Sequence, residues 1–254
     1  MLIDTHCHLN LEDAFPNPGE TIREAVEAGV SNMIVVGIDE ASSRRAVRLA
    51  DDHKEVYAVV GHHPNSAATF STNDLVWIEN LLAHPKTVAL GEIGLDFHWD
   101  YATPEQQQFS LNAQLDLAVH LGMPVVFHCR KAYRELLQVL ETRSPHPYLF
   151  HCFSGSDTEA QRVVELGGLL GVDGPITYKK STLPSLFASL PADRIVVETD
   201  APYMPPEPFR GRPNHPKHVV LVNRALALAL GVTEEESAET TTANAEGFFR
   251  TIRG

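Results

Sequence analysis

Cysteine is scarce in this chain of 254 residues, with only Cys7, Cys129 and Cys152 present. An odd number of thiols so far apart does not build a disulfide framework, and it points to reduced thiols and an intracellular setting. Cationic residues are also short, with 20 Lys and Arg against 33 Asp and Glu for a net charge of −13. That balance argues against a broad basic face gripping a phosphate backbone. No apolar run approaches the roughly 20 residues of a membrane span. The N-terminus runs straight into Leu2 and Ile3 without the basic-then-apolar pattern of a leader. The expectation is a soluble cytoplasmic protein with neither a membrane nor an obligate protein partner. No low-complexity linker interrupts the chain, so residues 1–254 are read as one domain.

Alternation of two patterns fills that length. Apolar runs of strand character lie at 2–7, 33–38, 56–61, 87–93, 124–129, 148–153, 169–172 and 195–199. Segments of helical periodicity separate them, at 19–28, 40–53, 72–84, 104–121, 132–142, 157–166 and 183–190. A further apolar helix spans 217–230, and Thr233-Glu234-Glu235-Glu236 reads as a capping box for a last one. Thr103 before Pro104 caps the fourth helix, and Asp157 with Thr158 opens the sixth. Near-continuous apolar strands alternating with helices predict a parallel sheet covered by helices. Eight such repeats in about 250 residues predict an α/β fold of the closed (β/α)8 TIM-barrel type. The one long irregular segment, 202–216, follows the eighth strand and is placed over the barrel mouth.

Barrels of this kind carry their chemistry at the C-terminal strand ends. His6 and His8 end the first strand on one side of it, by the period-two rule. Glu92, His128, His151 and Asp200 are placed at the ends of strands four, five, six and eight. Four imidazoles and two carboxylates in one mouth are costly as an idle buried cluster. They suit two divalent ions bridged by a carboxylate. The three cysteines alternate with these histidines, so they are expected to point outward into the helix layer and not to ligate. An N/O donor set admits Mg, Mn or Zn without choosing among them. Arg130 lies two residues beyond His128, on the same side, where it can hold a phosphate oxygen or pair with a loop acid.

With these motifs in view, the chain resembles the TatD family of metal-dependent deoxyribonucleases, among the amidohydrolase-like barrels. The matching pieces are Ile3-Asp4-Thr5-His6-Cys7-His8-Leu9, Gly61-His62-His63-Pro64, Gly91-Glu92-Ile93-Gly94-Leu95-Asp96, His128-Cys129-Arg130, His151-Cys152-Phe153-Ser154-Gly155, Glu198-Thr199-Asp200-Ala201-Pro202-Tyr203 and Thr242-Ala243-Asn244-Ala245. They run across essentially the whole chain. The resemblance implies two divalent metal ions and hydrolysis of DNA phosphodiester bonds, with 3′-5′ digestion of single strands and strand ends as the substrate. It implies that Glu92 bridges the ions, that His6, His8 and Asp200 complete one site, and that His128 and His151 complete the other. Asp200 would take the proton of the attacking water. His63 is implied as a phosphate contact or leaving-group acid, while His62 points elsewhere. Tyr203, Arg212 and Asn214 of the long loop are candidates for nucleotide contact or for plain loop scaffolding. The sequence departs from the family where Asn214-His215-Pro216 stands in place of a pattern like Asn-Glu-Pro. Asp4 and Glu198 are read as facing inward one layer below the ligands, orienting histidines or forming a buried network. Two other readings remain: the same site acting on a small ester, amide or lactone or on aminoacyl-tRNA, and a scaffold that keeps the barrel without catalysis.

Overall fold

Eight parallel strands alternate with helices in the computed structural model, which describes residues 1–249 and residue 252. The other residues of the 1–254 span lie outside the described residues. The strands are β1 (Leu2–Cys7), β2 (Val30–Val36), β3 (Val56–Val60), β4 (Thr87–Asp96), β5 (Val125–Arg130), β6 (Tyr148–Phe150), β7 (Leu169–Val172) and β8 (Ile195–Val197). They pair in sequence order, each parallel to the next. The ring closes just past β8, where His8 N donates to Ala201 O and Asp200 N to His6 O at 2.7 and 2.9 Å. The helices are α1 (Pro18–Glu27), α2 (Glu40–Asp52), α3 (Asp74–Leu82), α4 (Pro104–Leu121), α5 (Tyr133–Glu141), α6 (Asp157–Glu165), α7 (Leu183–Ala188), α8 (Val219–Leu230) and α9 (Glu234–Phe249). Short 3₁₀ turns that the periodicity does not announce lie at Pro64–Thr69, Gly174–Thr177, Ala192–Arg194 and Pro216–His218.

Alternating side chains divide the core into two layers. Val125 and Phe127 of β5 join the apolar layer between strands and helices, with Leu111, Leu136 and Ala160. Val126, between them, joins Ile3, Ile34, Val59, Leu149 and Val196 inside the barrel. Phe248, Phe249 and Ile252 at the end of the chain complete that inner layer. Burying a large apolar side chain is worth about 1.5–3 kcal/mol, so α9 closes the floor of the barrel as an integral part. Asn244 Nδ2 donates to Ala192 O and Ile195 O, and Thr242 Oγ1 to Met1 O, which fixes its seat.

Caps set the helix starts. Thr103 and Gln106 form a reciprocal box at α4, and Thr233 and Glu236 form one at α9, as expected. The cap of α6 is Ser156, paired with Glu159, and not Asp157 or Thr158. Its hydroxyl accepts from the Glu159 amide, so the side chains of Asp157 and Thr158 are not needed there.

Candidate metal centre

Where the strands end decides where the ligands sit. β6 and β8 stop earlier than the apolar runs suggest, so His151 lies one residue past β6 and Asp200 three past β8. Cys152 and Asp200 adopt positive φ of 45° and 53°, which turns the chain out of the ladder. β4 instead continues beyond the expected end, pairing Ile93–Asp96 with Phe127–Arg130 after a shift in register. Glu92 therefore lies within its strand. Gly94 allows this close pairing, since a Cβ there would overlap the His128 carbonyl.

Five of the six candidate ligands, His8, Glu92, His128, His151 and Asp200, line one cavity of about 310 Å³, walled also by His63, Asp96, Arg130 and Tyr203, while His6, fully buried, meets the same group through its Nε2. Glu92 sits at its centre. Its Oε1 lies 2.9 Å from His128 Nδ1, 2.7 Å from His151 Nε2 and 3.5 Å from His63 Nε2. Its Oε2 faces His6 Nε2 and His8 Nε2 at 3.5 and 4.0 Å. Asp200 Oδ1 is 3.3 Å from His8 Nε2 and 3.9 Å from His6 Nε2, and those two nitrogens are 3.3 Å apart. Donors bound at about 2.1 Å to one ion stand roughly 3.0–3.5 Å from one another. The spacing around Glu92 and Asp200 fits such a group.

Hydrogen bonds at the outer ring atoms aim the lone pairs inward. His8 Nδ1–H donates to Val36 O at 3.0 Å, which leaves Nε2 free toward the cavity. His128 Nε2–H donates to Asp96 Oδ2 at 3.0 Å, which leaves Nδ1 toward Glu92. His63 Nδ1 accepts from Asn65 N at 3.1 Å, so its Nε2 carries the proton and is a donor. Among the described residues, buried His6 Nδ1 has no hydrogen-bond partner.

The charges are consistent with a cation. Burial raises the Glu92 carboxyl, but His151, His63 and His128 outweigh it and hold it well below the usual range. Burial alone would lower His8, His128 and His151, yet the carboxylates around them raise all three, His151 most. The cavity gathers positive charge around its acids, and divalent ions on the same lone pairs meet that demand. The donor set therefore fits divalent metal.

Not every candidate keeps its expected place. Arg130 stands at the cavity rim, exposed, with its guanidinium 5.8 Å from the Trp99 ring. Tyr203 lines the cavity, edge-on to His8 at 5.9 Å. Asn214 is fully buried and makes no contact with the cavity. Its amide donates to Thr199 O and Met204 O, and its Oδ1 accepts from His215 N and His218 Nδ1. A side chain so occupied braces the loop and is not available to nucleotide. Arg212 is exposed and away from the cavity wall, and Arg210 stacks on Tyr178 at 4.3 Å. His215, at the unusual position, packs edge-on against Phe15 and His218 and stays outside the cavity.

The buried acids divide their work. Glu198 accepts from Cys152 N and lies 3.6 Å from His151 Nδ1. Asp4 takes the backbone and hydroxyl of Thr199 at 2.9 and 2.6 Å and bonds to no histidine side chain. A register irregularity between Asp4 and Cys7 breaks the simple alternation that would place it beneath His6. Cys7 and Cys129 enter the outer layer as expected, but Cys152 does not. Its left-handed backbone turns Sγ to Asp173 Oδ2 at 3.1 Å. His62 packs on Phe70 and bonds Ser66 O, away from the ligands.

Asp96 was not assigned a role from the sequence. It is an even number of residues beyond Glu92, on the same strand face, and that signal is readable once β4 extends to it. Burial raises its carboxyl, but hydrogen bonds from His128 and the His98 backbone prevail and bring it to about 2.

Comparison with known proteins points to one family. The sequence model of the family described as TatD related DNase matches residues 3–250. The chain is 36% identical over 253 residues to YabD of Bacillus subtilis (strain 168), described as an uncharacterized metal-dependent hydrolase, covering 98% of this chain and 99% of that protein. It is 35% identical over 239 residues to the 3′-5′ ssDNA/RNA exonuclease TatD of Erwinia tasmaniensis, covering 91% and 92% of the two. The crystal structure of YjjV, a TatD homologue from Escherichia coli K12, superposes with a TM-score of 0.93 at 33% identity, covering 98% of each chain.

Proposed function

The chain belongs to the TatD-related DNases and is a metal-dependent hydrolase, and from that premise we propose that it removes nucleotides from the 3′ end of single-stranded DNA using two divalent ions. The observation that carries the two-ion reading is the division of Glu92, with Oε1 against His128 and His151 and Oε2 against His6 and His8. His6, His8 and Asp200 would hold one ion with Glu92, and His128 and His151 the other. Ions bound there supply Lewis acidity toward a phosphate oxygen and lower the pKa of water. The direction and the preference for single strands rest on the relative from Erwinia tasmaniensis, whose description gives both.

The chain's own residues then have distinct work. Asp200 Oδ1, at the inner end of the cavity beside His8, accepts the proton of the attacking water. Arg130 at the rim forks onto non-bridging oxygens of the scissile phosphate. His63, kept neutral by burial despite Glu92, offers its Nε2–H to the leaving oxygen. Tyr203 forms the opposite wall.

A strand labelled at its 5′ end tests the reading. Incubation with Mg or Mn should give a ladder shortening from the 3′ end, and EDTA should abolish it. Cleavage of a closed circular single strand at a comparable rate would remove the exonuclease assignment.

A further inference from the structure

Two large aromatic side chains stand exposed in the loop between β4 and α4, Trp99 at 45% and Tyr101 at 61% exposure. Their rings lie 5.7 Å apart and only 25° from parallel. Adjacent exposed aromatic rings form an apolar patch of the kind that a ligand or partner covers. Its position says what does. β4 and β5 pair Asp96 with Arg130, and Phe97 N donates to Arg130 O at 2.9 Å. The loop thus leaves the barrel at the residue that faces phosphate, and the Arg130 guanidinium lies over the Trp99 ring. The loop is also tied to the metal centre. One oxygen of Asp96 accepts from the backbones of His98 and Trp99 at 2.8 and 3.3 Å, while the other holds His128. One carboxylate therefore fixes both a candidate metal ligand and the start of the aromatic loop.

We propose that Trp99 and Tyr101 form a stacking platform for an unpaired base of the substrate strand, one nucleotide's reach from the phosphate held by Arg130. The proposal rests on the nuclease reading and names what that site prefers. Aromatic rings accept any base, because every base has a π face. They accept only a base whose face is free, so the platform favours an unpaired end over a duplex. It also supplies affinity without cationic surface, which suits a chain of net charge −13.

Steady-state kinetics of the metal-loaded enzyme on a ten-nucleotide single strand test this, with strands carrying one abasic site at the first, second or third position from the cleaved end. Loss of one stacked base corresponds to about tenfold or more in affinity. Trp99→Ala should raise KM by that factor with a smaller change in kcat, and Trp99→Phe should recover most of it. For the wild type, one abasic position should raise KM similarly, and Trp99→Ala should add nothing further on that strand. Unchanged KM in Trp99→Ala, or additive losses at all three positions, would overturn the platform. Trp77, the other tryptophan, is buried in α3, so fluorescence gives a second readout. A phosphorothioate strand should quench the wild type and leave the Trp99→Phe variant unquenched. Quenching without hydrolysis of any strand would overturn the nuclease reading and keep the platform. Hydrolysis without quenching would do the reverse, and the absence of both would overturn both.

Discussion

Glu92 touches both halves of the candidate centre, and single substitutions separate its role from those of its neighbours. Glu92→Ala should lower the content of both ions, whereas His6→Ala should empty mainly one and His128→Ala mainly the other. Metal analysis of each purified variant decides, and full occupancy in Glu92→Ala would sink the bridge. Asp96→Asn keeps an acceptor for His128 but removes the charge. Loss of an outer partner of this kind typically costs about 10–100-fold in metal affinity. A metal titration should show that loss for one ion and little change for the other. Arg130→Lys keeps a positive charge and loses the fork. A charge-assisted hydrogen bond is worth about 1.5–3 kcal/mol, so turnover of a thymidine p-nitrophenyl phosphodiester should fall by about one to two decades. Hydrolysis of p-nitrophenyl acetate should change far less. Equal losses on both substrates would make Arg130 structural.

Elements were more legible than their ends. Apolar runs marked eight strands, helical periodicity marked eight helices, and a capping box marked the last helix, because burial and end-capping leave those patterns in the sequence. Strand ends are set by backbone turns that composition does not encode. Cys152 and Asp200 sit at positive φ without being glycine, so nothing in the sequence announced that β6 and β8 stop early. The six candidate ligands still come together, because their convergence depends on the barrel and not on the last ladder bond. Loop residues fared worse. Asn214 reads as a polar loop residue, and only the packed loop shows that its amide is consumed by Thr199, Met204 and His218. His218 of that cluster stacks on Phe209 at 4.2 Å, and burial, with His215 and Lys217 nearby, lowers it to about 4. The unfolded chain takes up a proton there below about pH 6.5, while the folded chain does so only near pH 4. Stability is therefore lost as the pH falls between those values, by no more than about 3 kcal/mol from this group. Thermal denaturation should show a steeper acid-side decline for the wild type than for His218→Gln. Parallel declines would remove His218 as a source.

The whole molecule is acidic, and its candidate substrate is too. Among the described residues, Arg130 is the one lysine or arginine on the cavity wall. Few phosphates are thus neutralised by the chain, and the log–log dependence of single-strand affinity on salt should correspond to about one to three contacts. A slope near that of a long duplex binder would reveal a basic surface not recognised above. The closure of the barrel by α9 sets a different constraint, on how much of the chain folding needs. The neighbours of β1 at Asp200 and Ala201 lie some 190 residues further along the chain, and the floor is filled by Phe248, Phe249 and Ile252. Half a barrel has two open edges and an unfilled interior. A chain without α9 is expected to expose Ile3, Val126 and Val196, apolar surface prone to aggregation. The candidate ligands span residues 6 to 200, but the layer beneath them is completed only by Phe248, Phe249 and Ile252. A chain cut before α9 would carry all six candidate ligands and still lack the packed floor beneath them.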